Sequence, residues 1–174
     1  ITSGGAGAAP TWTAPVSGGI THASTWRLTT SFTGAADPIA SNLEINDSSG
    51  YSSLGAEMTE SSGIFTFPAT GYWIIRASAE FYHANAASRY NIVQIKTTIN
   101  DGGAWLETGG GMQMLPSSGS PHYCTASNLY LFDVTDTANC KVSFRVGLEN
   151  VATQTDGNSS ADTTYFNFVR LADT

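Results

Sequence analysis

Charged side chains are scarce in this sequence. Asp, Glu, Lys and Arg make up 12% of its 174 residues, about half the roughly 25% of ordinary soluble proteins. Seven Lys and Arg are scattered among fourteen acids, and the net charge is −7. A chain with no basic cluster cannot neutralise phosphates, so no nucleic-acid partner is expected. No apolar run approaches the ~20 residues of a membrane helix, which argues against insertion through one. Helical periodicity is missing too: no segment of helix length repeats its apolar residues every 3.6 positions. Apolar content is nevertheless ordinary at 41%, unlike disordered chains, which pair low hydrophobicity with high charge. A single domain with a real core is expected.

Cysteine is nearly absent, with two residues and no metal-ligand spacing. Cys140 falls on the apolar side of an alternating segment with Val142, Phe144, Val146 and Leu148, where a small thiol packs as a hydrophobe. If 125–134 and 140–148 form a hairpin, Cys124 lies opposite residue 149. It is then too far from Cys140 for the ~4.4–6.8 Å Cα spacing of a disulfide. Catalytic signatures are also missing. His22, His83 and His122 stand in unrelated segments, and nothing resembles a nucleophile elbow, a zinc-binding helix or a phosphate loop. No enzyme and no cofactor are expected. The first residues carry no signal peptide or lipidation motif. Ile1 is not a natural start, so the expectation is a piece of a longer protein.

What is present is β signal. Candidate strands are 25–33, 41–46, 63–68, 71–83, 89–100, 127–135, 140–149 and 163–171. Turn-forming clusters at 46–50, 68–71, 100–103, 136–139 and 156–160 separate them. About eight strands so punctuated predict a sandwich or jelly roll. Their faces carry more information than their number. Segment 140–148 alternates Val142, Phe144 and Val146 with Lys141, Ser143, Arg145 and Gly147, as a strand with one wet face does. Three others have two apolar faces. In 71–82, Trp73, Ile75, Ala77, Ala79 and Phe81 form one side, and Tyr72, Ile74, Arg76, Glu80 and Tyr82 the other. In 127–135, Leu129 and Leu131 oppose Tyr130, Phe132 and Val134. In "TYFNFVRL", Tyr165, Val169 and Leu171 oppose Phe166 and Phe168. An isolated sandwich would expose such second faces as a large apolar patch. Another copy of the chain covers them economically, because every copy carries the same patch. Tyr72, Ile74, Arg76, Glu80, Tyr82 and Tyr165 are the candidate interface residues.

The run Gly63, Phe65, Phe67, Pro68, Gly71 and Tyr72 resembles the signature of complement-q globular heads, which share a ten-stranded jelly roll with the tumour-necrosis-factor superfamily. Asn46, Gly50 and Tyr51 are similar to that family's entry to the same region. "YFNFVRL" stands where the family ends, with Asn167 replacing its glycine. The resemblance spans roughly residues 24–172. It implies an all-β, antiparallel jelly-roll sandwich of about ten strands, assembled as a homotrimer with one sheet packed towards the axis. Several members hold calcium near the apex, in the loop before the strand at 127–135; here that loop offers only Glu107, so no metal is expected there. The other oxygen-rich stretch, with Asp156, Asn158 and Asp162, lacks the twelve-residue pattern of an EF-hand loop and is expected to be a solvated polar loop.

Residues 1–15, "ITSGGAGAAPTWTAP", resemble a phrase common at the joints of phage tail-fibre proteins. The chain accordingly divides into a Gly/Ala/Pro-rich joint segment, 1–22, and a jelly-roll head, 23–174. The expected function is the head of a phage tail fibre or related virion appendage, attached to the rest of the fibre at its N-terminus. It would bind a host-surface receptor, a glycan or a protein, without catalysis. The alternative is a trimerisation or capping domain with no ligand of its own. Sugar recognition needs aromatic rings beside amides or carboxylates. Trp105 with Glu107, His122 with Tyr123, Tyr51 and Tyr90 meet that description. The long segment 103–126 is the favoured location, since loops of such length without internal structure are often functional.

Overall fold

The computed structural model describes residues 19–117 and 119–174. The joint segment 1–22 therefore lies outside the described residues except for its last four. The described chain contains only β-strands and their connections, and twelve strands are present. They are β1 His22–Leu28, β2 Thr30–Thr33, β3 Leu43–Ile45, β4 Thr59–Ser61, β5 Ile64–Thr66 and β6 Gly71–His83. Then follow β7 Ser88–Thr98, β8 Leu106–Leu115, β9 His122–Val134, β10 Lys141–Leu148, β11 Gln154–Asn158 and β12 Tyr165–Ala172.

Two antiparallel sheets face each other. One has seven strands, with β6 at its centre: β9 runs along one edge of β6 for its whole length, and β12 then β11 share the other. Beyond β12 lie β1 and β3, and beyond β11 lies β2. The second sheet has five strands in the order β4-β5-β10-β7-β8. The core forms where alternate residues of both sheets meet. Trp73, Ile75, Ala77, Ala79 and Phe81 of β6 are fully buried, as their alternation predicts. Phe144 of β10 stacks on Phe166 of β12 with centroids 3.9 Å apart, joining the sheets by their rings. Phe67 packs against Trp73 at 5.2 Å, and the Trp73 indole donates to the Ala69 carbonyl, tying the 68–71 turn to the core. At the end of that turn Gly71 has φ +134°, and a Cβ there would stand 2.3 Å from the Ala172 carbonyl. Only glycine fits.

Several expectations needed correction. The 103–126 segment is not a structureless loop: β8 occupies much of it and β9 begins at His122, five residues before the predicted start at 127. β8 escaped notice because Gly109, Gly110 and Gly111 carry no alternating apolar signal. The glycines have a packing reason. A Cβ on Gly111 would lie 1.9 Å from the Ser127 carbonyl, so the two sheets approach backbone to backbone at this seam. β4 and β11 were also missed, being short and polar. The predicted strand 25–33 is two, divided at Thr29, whose N–H donates to the Asn42 carbonyl.

Segments 125–134 and 140–148 do not form a hairpin. β9 pairs with β6 and β10 with β7 and β5, so the Asp136–Asn139 turn crosses between sheets. Both cysteines are free. The outward side of β10 is drier than expected: Ser143 is buried, and Ile92 lies so close to Gly147 that a Cβ would meet it at 2.8 Å.

Candidate functional site

The outward face of the seven-stranded sheet is built in rows by strand register. One row reads Ala23, Val169, Ile74, Leu131 across β1, β12, β6 and β9, and the next reads Thr25, Asn167, Arg76, Leu129. Further along come Arg27, Tyr165, Ser78 and Ser127, then Glu80 beside Thr125, and Tyr82 beside Tyr123. All six candidate interface residues stand on this face. Leu129 and Leu131 remain 59% and 53% exposed, and Tyr72 and Tyr123 are also exposed. Beside these projecting leucines lies a hollow of about 430 Å³, whose lining includes Ala23, Thr25, Ile74, Arg76, Asn167 and Tyr51. Tyr51 closes one side, its hydroxyl accepting from the Thr25 N–H at 2.8 Å.

The face carries three differently treated charges. Arg76 lies with its guanidinium 5.6 Å over the Tyr165 ring, and no carboxylate reaches it among the described residues. Glu80 receives no hydrogen bond at its carboxylate among the described residues. Burial, and then the like charge of Asp156, push its pKa above the ordinary glutamate value. Arg27 is the opposite case. It is fully buried under the 44–48 and 159–162 segments. Its guanidinium donates to Glu44 at 2.9 Å, to Ser48 at 2.8 Å, and to Asp47 and the Ser159 carbonyl, with Asp162 at 3.8 Å. Burial alone would lower its pKa, but Glu44 and Asp47 outweigh that and raise it.

Sequence reasoning missed the Arg27 cluster. An arginine inside "TWRLTT", with the acid-bearing "EIND" downstream, was the available signal. The expected polar loop at 156–162 is exposed from 158 to 162, but it begins as strand and is tied to the same cluster. Asp156 and Asn158 belong to β11, and Asp162 accepts from Asn46 at 2.9 and 3.0 Å. Among the described residues no group of three or more His, Cys, Asp or Glu is placed to hold a metal ion.

The receptor candidates divide between the sheets. Tyr123 sits on the outward face just described, its ring 4.9 Å from Tyr82, and His122 stands opposite His83. Trp105, just before β8, lines a groove of about 550 Å³ with Ile99, Asn100, Leu106, Tyr130 and Phe132 at the open seam between the sheets. Glu107 is engaged on the outward face of the five-stranded sheet, bonded by Gln94 at 3.2 Å and 3.5 Å from Arg145. Tyr90 lies exposed near the start of β7. Burial holds the Cys124 thiol above its ordinary pKa, which disfavours the thiolate.

No protein-family model matches the chain, and no curated protein matches it by sequence. Solved structures do. The sheet order and two-layer packing are those of a tumour-necrosis-factor-like jelly roll. Murine APRIL crystallised at pH 5.0 aligns with TM-score 0.57 and 11% identity, over 86% of this chain and 98% of that one. The pH 8.5 crystal structure of the same protein gives TM-score 0.56 at 10% identity over the same shares. At such identity the likeness establishes the fold alone.

Proposed function

We propose that this chain is the trimeric, non-catalytic head of a phage tail fibre or related virion appendage, and that it binds a receptor on the host surface. One observation carries the trimer: an apolar outward face on which Leu129 and Leu131 project beside a hollow between β1, β12 and β6. A projection and a recess on the same surface fit head to tail between copies, and such contacts close into a ring where the rotation between copies is one-third of a turn. The virion assignment rests on the fibre-joint phrase of residues 1–15. Receptor contact is assigned to the Trp105 groove, whose aromatic walls and Asn100 amide suit a sugar ring. Three equivalent sites would turn weak single contacts into useful avidity. Light scattering should return about three times the 18.3 kDa of the chain. A trimer that binds bacterial cells or arrayed surface glycans, and loses that binding on Trp105→Ala, supports the whole reading. The division of the aromatic candidates between two sheets favours a second reading, a capping domain that binds nothing, and an intact trimer without any cell binding would establish it.

A further inference from the structure

Among the described residues, no carboxylate answers Arg76 and no cation answers Glu80. They stand on the same side of β6, about 13 Å apart at roughly 3.3 Å per residue, and cannot reach each other. Arg76 has only the Tyr165 ring, while Glu80 faces Thr125 on β9 and the like-charged Asp156 on β11. The Thr164 hydroxyl beside Glu80 accepts from its backbone N–H, at 3.1 Å, and leaves the carboxylate unserved. Asp133, another acid on this face, is exposed as Arg76 is, but stands beside Tyr72 near the far end of the strand pair. Glu80 is only partly exposed and has the greater need of a cation. Leaving either charge unpaired would be costly once the surrounding apolar surface is covered.

Building on the trimer reading above, we infer that Arg76 of one copy pairs with Glu80 of the adjoining copy, so that this face selects its own chain as partner. In a cyclic assembly each copy offers Arg76 to one neighbour and Glu80 to the other. The pairs therefore close with none left over. A mispacked or foreign partner leaves both charges buried and unanswered, and like charges brought together repel.

Charge reversal tests this on the full chain. Arg76→Glu and Glu80→Arg should each weaken association by at least about a hundredfold in sedimentation or light-scattering dilution series. The double reversal R76E/E80R should restore most of it. A second readout has the opposite sign from a purely structural role. Glu80→Gln removes the repulsion from Asp156 inside the chain, so the dissociated protomer should melt higher while the assembly dissociates more readily. If the unaltered chain is a monomer, the trimer reading itself fails. If it is a trimer and the single reversals associate normally, or the double reversal fails to rescue folded single variants, the pairing is overturned. Melting of each dissociated variant separates misfolding from lost association.

Discussion

On the outward face of the five-stranded sheet, charges are answered within the chain. Lys96 holds Asp37 at 2.7 Å, Arg145 reaches Asp37 and Glu107 at 3.6 and 3.5 Å and also donates to Gln94, and Gln94 holds Glu107. On the outward face of the seven-stranded sheet, Arg76 and Glu80 have no such set among the described residues, and leucines and tyrosines stand on the same face. Both faces obey the same period-2 alternation. What separates them is where the connecting segments run. The 36–39 segment pairs alongside β10 through Ala36 and Val146, and its Asp37 side chain reaches Lys96 on β7. Over the middle of β6 and β9 no described segment lies, and only the Arg27 corner is covered by its own loops. One face answers its charges within the described chain; the other leaves Leu129, Leu131 and Tyr123 exposed on the same side as Arg76. The rim strand β8 is the exception on the first face, with Leu106, Met112 and Met114 exposed.

The largest effect should come from the outward face of the seven-stranded sheet. Leu129→Lys with Leu131→Lys is expected to abolish the proposed trimer, removing about 2–3 kcal/mol of burial per copy and so roughly 5–10 kcal/mol per trimer. Light scattering should then give the single-chain mass while the melting curve of the protomer persists. A trimer that survives both changes would erase the contrast between the faces. Next is Arg27→Ala, which removes a buried guanidinium and its hydrogen bonds while the part-exposed Glu44, Asp47 and Asp162 regain water; it should cost about 1.5–3 kcal/mol in urea unfolding. Arg76→Ala, on the same face but outside any cluster, should change protomer stability by less than about 0.5 kcal/mol. Equal losses at the two arginines would show that both are structural. Gly111→Ala forces the β8–β9 seam apart and should cost about 1–3 kcal/mol by denaturant titration. A small effect is also expected on the five-stranded sheet. Arg145→Ala breaks a network open to solvent, worth under about 1 kcal/mol, and should leave the oligomer mass unchanged.

Glu80 adds a pH dependence whose sign can be worked out. Its folded pKa lies above the ordinary glutamate value because of burial and Asp156. The protonated form is thus favoured in the folded protomer. Its contribution is present below the unfolded pKa and is lost as pH rises through the raised folded value. The dissociated protomer should therefore melt higher in mild acid than at neutral pH by this group's share, and Glu80→Gln should flatten that difference.

Much of the fold was legible because alternation survives in the strands that build the core. Trp73 to Phe81 and Val142 to Val146 show their buried sides directly in the sequence, and the second apolar side of β6, β9 and β12 showed there too. β8 was not legible: its glycines are chosen for a backbone approach to Ser127, which no local pattern encodes. The candidate site was half legible. Arg76 and Glu80 stood out as misplaced charges, but Arg27 looked like an ordinary strand residue until the 44–48 and 159–162 segments closed over it.

The sequence by itself determined which residues turn inward, because a period of two is a property of the extended backbone and needs no partner. It also determined that one sheet has apolar residues on both sides. Only the tertiary structure decided which charges are answered, since Asp162 meets Asn46 and Asp37 meets Lys96 through contacts far apart in the chain. Those pairings depend on how the sheets stack and where the connecting segments cross them, and that geometry isolates Arg76 and Glu80 while sealing Arg27.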